Sequence, residues 1–454
     1  MGKWKLAEHQ KDGIYAINAN GSILLSYDMG LGKTATALMW LIQQFRLRRI
    51  PDALVVCPAS LVPNWIASFD TMANFEGVGP ADILALKERV KVVSFQKTYR
   101  VDKRTVKHRN GTTSVKKTTL LREDVDKRWG AVIVDESHCI GSHDSKQTKA
   151  CLTLSRLASH RILLSGTPVS GGGGAEDFSK LYGQMKFLDP DVYPDWRTFC
   201  ERYVATYDHW GKPSSYHVKE CRRLLEDHAV VARLEDCFDM PGRSESVMPC
   251  ILSAKKPYDD MRRGNTRGYG VEIKAAGGQY PKMLQICSGS LKREDGTVMD
   301  LPCSKDAVLT DLLEATDDAV VVFCTYRASI DRAERVAKAA GKKVLVFDGR
   351  SKTPTWKDFQ SGKGDVLICQ YQSGGVGIDL FRSHTMILFE PTFSSLLLTQ
   401  ALARTYRKGQ ESRCVYYFLS TSKTVEAKAW ETVRSGKDIT DRMMSDWASQ
   451  GLFL

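Results

Sequence analysis

The 454 residues are more than one ordinary domain needs and enough for two with a small insertion, and 43% hydrophobic against 26% charged residues is the balance of a globular chain rather than a disordered one. No run of about 18 apolar residues occurs, so no transmembrane helix is expected, and the opening Met-Gly-Lys-Trp-Lys lacks the apolar core of a signal peptide. An excess of 65 Lys and Arg over 53 Asp and Glu, +12 in all, attracts nucleic acid or an anionic membrane surface.

In chain order, short β-rich apolar runs alternate with helical stretches, the pattern of a parallel sheet covered on both faces. The first half predicts strands at Ser22–Leu25, Ala53–Cys57, Val90–Ser94, Ala131–Val134 and Arg161–Leu164, with a helix over Ala35–Gln44. Residues 97–128 interrupt the alternation, with 11 Lys and Arg against 4 acids, a net of +7. Asn110-Gly111 in their middle, flanked by β-branched residues, predicts a hairpin turn. This segment reads either as a solvated loop or as a basic finger touching a phosphate backbone.

From about 175 to 303 the character changes. Phe178–Phe187 and Asp195–Val204 read as aromatic-rich helices, and 264–280 is Gly-rich and loop-like. The second half predicts strands at Ala319–Cys324, Lys343–Phe347, Val366–Cys369, Thr385–Phe389 and Cys414–Leu419, then an amphipathic helix at Thr424–Val433. The expected fold class is therefore α/β, with parallel-sheet lobes over 1–174 and 304–454 and a helical insertion over 175–303 between them. The 12 cysteines include no C-x-x-C pair, so a zinc ribbon is not expected. Cys57, Cys324 and Cys369 fall within strand-like runs as small hydrophobes. This usage fits a reducing intracellular compartment: bacterial cytoplasm or nucleoid, phage-encoded or not, or the nucleus of a eukaryote.

The chemistry concentrates at three places. Ser26-Tyr27-Asp28-Met29-Gly30-Leu31-Gly32-Lys33-Thr34 lies between a strand and a helix. Its glycines let backbone N–H groups approach phosphates, Lys33 adds charge at the β- and γ-phosphates, and the Thr34 hydroxyl can ligate Mg²⁺. Tyr27 stands where the first glycine of the G-x-x-x-x-G-K-[ST] pattern belongs. Asp135 and Glu136 then fall at the C-terminal end of a buried strand, where ligands bind in open α/β sheets. Asp135 would hold Mg²⁺ through water and Glu136 would polarise the attacking water. In the second half Gln400, Arg404 and Arg407 share a face if they lie on one helix, and two guanidinium groups together suit a γ-phosphate.

These residues resemble helicase superfamily two, and within it the Swi/Snf-type DNA translocases. Asp28–Thr34 is close to that family's first motif, and Leu6 and Gln10 look like its adenine-reading element. Leu54–Pro58 with Asn64-Trp65, the Asp135–His138 box and Leu164–Pro168 resemble the next motifs. Gln372–Leu380 and Gln400–Gln410 resemble motifs five and six, and Asp195, Trp196 and Phe199 with Tyr280–Cys287 resemble the family's helical protrusions. Ala403 stands where the family usually has an acid, and Tyr406 where His is common.

The resemblance implies two RecA-like P-loop NTPase lobes and a DNA-dependent ATPase that moves along duplex DNA. ATP and Mg²⁺ are its implied cofactors, and Gly375, Gly377, Asp379 and Gln400 join residues 28–34 around the nucleotide. It also implies strand contacts at Pro58, Asn64, Ser94, Phe95, Thr325 and Ser373. Two other readings stand beside it. One is a helicase that separates DNA or RNA strands with the 97–128 hairpin as a wedge. The other is a scaffold without ATPase activity, which would require one of these chemical groups to be missing.

Overall fold

The computed structural model describes residues 3–107, 113–169, 178–192, 195–207, 211, 213–273, 277–350, 355–374, 378–440 and 443–444. The described chain divides into two compact units, the first ending at Phe238 and the second beginning at Asp239.

The first unit is built on six parallel strands: β1 (Ser22–Tyr27), β2 (Ala53–Cys57), β3 (Val90–Ser94), β6 (Trp129–Asp135), β7 (Ala158–Leu164) and β10 (Ala229–Ala232). Their order across the sheet is β10-β1-β7-β6-β2-β3. Every residue of β2 and β6 is buried, because helices cover both faces, and this is why both read as unbroken apolar runs. Leu24, Leu54, Val56, Val132, Val134 and Leu163 pack on one face with Phe178, Leu181, Met185 and Leu188. Burial of each such side chain contributes roughly 1.5–3 kcal/mol before the ordering entropy is subtracted. Helix α1 (Glu8–Asn20) precedes β1, and α2 (Lys33–Arg46) follows it.

Two antiparallel ribbons decorate this unit. One pairs β4 (Tyr99–Lys107) with β5 (Thr113–Leu121), and the other pairs β8 (Val204–Tyr207) with β9 (Pro213–Tyr216). The predicted hairpin at 97–128 is therefore present, although its Asn110-Gly111 turn lies outside the described residues.

The second unit opens with β11 (Arg243–Cys250) and the small β12 (Ser290–Lys292) and β13 (Val298–Asp300) pair. Its main sheet adds β14 (Val320–Cys324), β15 (Val344–Phe347), β16 (Val366–Gln370), β17 (Thr385–Leu388) and β18 (Cys414–Thr421), in the order β11-β18-β17-β14-β16-β15. All the described pairings in it are parallel. The Lys305 ammonium is wholly buried here, donating to Glu426 Oε1 at 2.5 Å and to the Phe389 carbonyl at 2.6 Å. Thr421 N–H donates to the other oxygen of the same carboxylate at 2.7 Å.

The ten strands predicted from apolar runs are all present, but each sheet has a sixth from the stretch expected to be helical. That stretch does contain helices, among them Leu181–Leu188, Trp196–Tyr203, Val218–His228 and Gln279–Cys287. It also supplies β10 to the first sheet and β11 to the second, so residues 175–303 are not one insertion between lobes. Ser304, the expected boundary, lies inside the second unit: its hydroxyl accepts from Ile251 N–H at 2.9 Å and donates to Ile251 O at 2.6 Å. The other expected boundary, between 174 and 175, lies outside the described residues.

No disulfide joins any of the 12 cysteines, all of which are described, and burial pushes the Cys57 thiol at the end of β2 up to about 12. Among the described residues no helix is long and apolar enough to cross a membrane.

Candidate nucleotide and nucleic-acid sites

The glycine loop leaves the C-terminal end of β1 and turns into α2. Gly30 and Gly32 have φ of 88° and 77°, and a Cβ on Gly32 would fall 2.4 Å from Gln10 Nε2. Only glycine meets both the left-handed backbone and the close approach. Helix α2 has no side-chain cap, which leaves its first-turn N–H groups for an anion. Lys33 opens the helix and folds back, donating to the carbonyls of Tyr27 at 2.8 Å and Asp28 at 3.4 Å. Thr34 follows it, half-buried.

Tyr27, out of place by the loop pattern, serves as a brace. Its hydroxyl donates to His9 O at 2.6 Å, and a Cβ on Gly13 would lie 2.0 Å from that hydroxyl. Helix α1 is thus seated against the loop through a glycine and a phenol. Gln10 is part of the same seat: its Oε1 accepts Ala7 N–H at 3.0 Å, and its Nε2 lies 3.5 and 3.4 Å from the carbonyls of Leu31 and Gly32. His9 Nε2 also meets Leu31 O, at 2.9 Å. Asp28 ties the start of the loop to the sheet edge. Its N–H donates to Ala232 O and its Oδ2 accepts Leu234 N–H, both at 2.9 Å.

Asp135 ends β6 and Glu136 follows in the left-handed region at φ 51°. Asp135 accepts the Trp65 indole N–H at 2.8 Å and Glu136 N–H at 2.9 Å. Burial, aided by the Glu136 charge and opposed by these two donors and Lys33, raises its carboxyl to about 6. His138 Nδ1 lies 3.4 Å from Glu136 Oε2 and 3.5 Å from Ser165 Oγ. Burial, with Lys180 and Lys33 nearby, lowers this imidazole to about 4, so at neutral pH it meets Glu136 uncharged. Gly166 completes the pocket: a Cβ there would sit 3.4 Å from Lys33 Nζ.

Two residues to which the sequence assigned no role hold this pocket. Trp65 fixes one oxygen of Asp135. Gln184 accepts from Ser137 Oγ at 2.7 Å and donates to Pro168 O at 2.7 Å, joining the Asp-Glu turn to the Ser165-Gly166 turn. Its signal in the sequence is an amide inside Leu181–Leu188, a helix whose every residue is buried. A buried polar group needs a partner, and here it has three, the third being the Lys180 carbonyl at 3.1 Å.

In the second unit the helix carrying Gln400 runs only over Ser395–Leu402 and is capped by Ala403. Arg404 and Arg407 therefore do not share a helical face with Gln400 as expected; they follow in the turns beyond it. Loop backbone gathers them instead. Arg404 Nη1 donates to Ile378 O at 3.3 Å, Arg407 Nη1 donates to the same carbonyl at 3.0 Å, and Arg407 pairs with Asp379. Gln400 is buried, and its carbonyl accepts Arg404 Nε at 3.0 Å. Gln410 binds the turn through the carbonyls of Phe381, Ser383 and Thr405 at 3.0–3.1 Å. Tyr406 carries the Arg243 guanidinium 5.3 Å from its ring centre. Gly375 and Gly377 lie outside the described residues.

The expected strand contacts fall into two groups. Asn64 is exposed on the helix Val62–Thr71, while Pro58 after β2 and Ser373 on the short helix Tyr371–Gly374 are half-buried. Ser94 and Phe95, at 6% and 2% exposure, are enclosed, and Phe95 packs in the core of the first unit. Thr325 is 8% exposed and its hydroxyl donates to Pro391 O at 2.8 Å. These three side chains are committed to the protein's own packing, which leaves backbone groups for a ligand.

Residues 3–256 match the SNF2-related domain, and residues 304–409 match the helicase conserved C-terminal domain. The chain belongs to the SNF2-related family. Within that family it is 26% identical to the DNA repair protein rhp54 of Schizosaccharomyces pombe, over 91% of this chain and 54% of that protein. It is 24% identical to a SWI/SNF-related matrix-associated actin-dependent regulator of chromatin subfamily A-like protein 1 homolog of Caenorhabditis elegans, over 96% of this chain and 61% of that one. Against the DNA repair and recombination protein RDH54 of Saccharomyces cerevisiae the identity is 22%, over 93% and 51%. This SNF2-related chain thus spans about half the length of the relatives it matches. The Sulfolobus solfataricus SWI2/SNF2 ATPase core in complex with dsDNA is similar over 99% of this chain and 94% of its own, at 19% identity and a TM-score of 0.42.

Proposed function

We propose that the chain hydrolyses ATP and uses the cycle to move along duplex DNA. The observation that carries this reading is the meeting, at one end of the first sheet, of an uncapped helix N-terminus, the loop lysine, a buried Asp-Glu pair and the Ser165-Gly166 turn beside Lys33. Membership of the SNF2-related family and the DNA-repair names of rhp54 and RDH54 support the substrate.

In this mechanism Lys33 exchanges its bonds to the Tyr27 and Asp28 carbonyls for the β- and γ-phosphates. Glu136 orients the attacking water, with neutral His138 3.4 Å from its carboxylate. Thr34 and Asp135 suit a magnesium ion: a hydroxyl at a helix N-terminus and a buried carboxylate whose charge burial already disfavours. Bound there, Mg²⁺ would neutralise charge on the phosphate oxygens. Gln10 would read the base, as the family resemblance implies, and Arg404 and Arg407 are the proposed cations for the γ-phosphate. Pro58, Asn64 and Ser373 are proposed strand contacts through their exposed groups, and Ser94, Phe95 and Thr325 through backbone.

The test is ATP turnover with and without duplex DNA. Lys33→Ala and Glu136→Gln should each lower DNA-stimulated turnover by about 10²-fold or more while the melting curve persists. Near wild-type turnover in either variant would remove the assigned role.

A further inference from the structure

The β4–β5 ribbon carries charge in an arrangement that neither the nucleotide site nor the sheets require. Its root is anchored: Leu121 is buried and Tyr99 packs beside it in the core of the first unit, and Arg122 N–H donates to Thr98 O at 3.1 Å. Beyond the root the strands hold six Lys and Arg and a single acid, Asp102. The register sets Lys103 directly opposite Lys117 and, on the next rung, Arg104 opposite Lys116. Adjacent rungs lie on opposite faces. Lys103, Lys107 and Lys117 thus share one face by position; Arg104 and Lys116 share the other with Asp102 and with Arg100, whose guanidinium lies 3.8 Å from Glu123.

Like charges placed directly across a ribbon destabilise it. Lys103 and Lys117 are both exposed, so a solvated ribbon has nothing to gain from the pairing. An outside anion would relieve the first face, and on the second, where Asp102 is the one acid, it would meet the charge that remains. At about 3.3 Å per residue the paired cations stand about 13 Å beyond Tyr99, more than a Debye length from the root at physiological salt. A flat anionic surface offers charge to one face only. The major groove of B-form DNA offers phosphates on two walls about 12 Å apart, which matches the roughly 10 Å depth of a strand layer with its side chains.

We infer that this ribbon enters the major groove of B-form duplex DNA with one cationic face toward each phosphate wall. The inference rests on the duplex-DNA reading above and adds to it where and how the duplex is held. It also disfavours a strand-separating wedge, because beyond Tyr99 neither strand carries an aromatic side chain on which a base could stack. The A-form major groove of RNA is too narrow for such a ribbon.

The experiment measures the slope of log affinity against log salt on duplex DNA, single-stranded DNA and duplex RNA. Three variants are compared with the wild type: K103Q/K117Q, R104Q/K116Q and the quadruple. Glutamine removes like charges set directly opposite each other, so folding is preserved. Each pair should lower the duplex-DNA slope by about 2 and the quadruple by about 3–4, at about 0.9 per phosphate contact, with the other two ligands little changed. If one pair alone accounts for the whole loss, or single strands and RNA lose as much, the two-walled reading is overturned. ATP turnover of the same proteins separates the two proposals. Unchanged slopes with intact DNA stimulation would end the ribbon reading alone, and the expected slopes without any DNA-stimulated hydrolysis would end the motor alone.

Discussion

Asp135 shows what a buried carboxylate costs the fold that holds it. Folded, it takes its proton at about 6 instead of its ordinary 3.8, chiefly through burial. Between those values the native state binds more protons than the unfolded chain, so stability falls as pH rises through the interval, and the full cost is present above about pH 6. Two pKa units correspond to about 3 kcal/mol. Asp135→Asn keeps an oxygen for the Trp65 indole and removes the charge. It should stabilise the nucleotide-free protein by about 1–3 kcal/mol near pH 7.5 and by almost nothing near pH 4. Denaturant melts at the two pH values would check this, and an equal effect at both would refute the burial account. The residues proposed for the chemistry were legible in the sequence because their types and spacing are those that phosphate and water would dictate. The indole of Trp65 and the amide of Gln184 were not, because their work depends on which turns the fold brings within 3 Å of them.

The same contrast governs whole elements. β2, β6, β14 and β16 are central and buried on both faces, so their apolar runs announced them. β10 and β11 stand at the sheet edges, where Arg243-Ser-Glu-Ser-Val alternates freely with solvent and no apolar run is required. The turn holding Arg404 and Arg407 was misread for a related reason. Spacing of i and i+4 is compatible with a helix but does not enforce one, and here the helix stops at Leu402 while the carbonyl of Ile378 collects both guanidinium groups.

Among the elements of the second unit the Lys305–Glu426 pair is the most exacting, since both side chains are fully enclosed. Lys305→Ala leaves the carboxylate uncompensated and should cost about 3–5 kcal/mol, whereas Lys305→Met with Glu426→Leu should recover most of it. Equilibrium unfolding of the two variants distinguishes this from a surface-like pair, for which both would be near neutral.

At the scale of the molecule, each unit has its own buried core and its own part of the proposed chemistry. Arg404→Ala with Arg407→Ala should therefore lower DNA-stimulated turnover by about 10³-fold or more while nucleotide affinity, set mainly by the loop of the first unit, changes only a few-fold. Turnover that survives the double change would leave the first unit catalytically self-sufficient.

The two bonds at Asp28 have a mechanical consequence. They fasten the first residue of the phosphate loop to Ala232 and Leu234, and the chain quits the first unit only a few residues later, at Phe238. Anything that tugs on the exit strand pulls on the loop through a short rein, and a loop that tightens around a nucleotide shortens that rein at its other end.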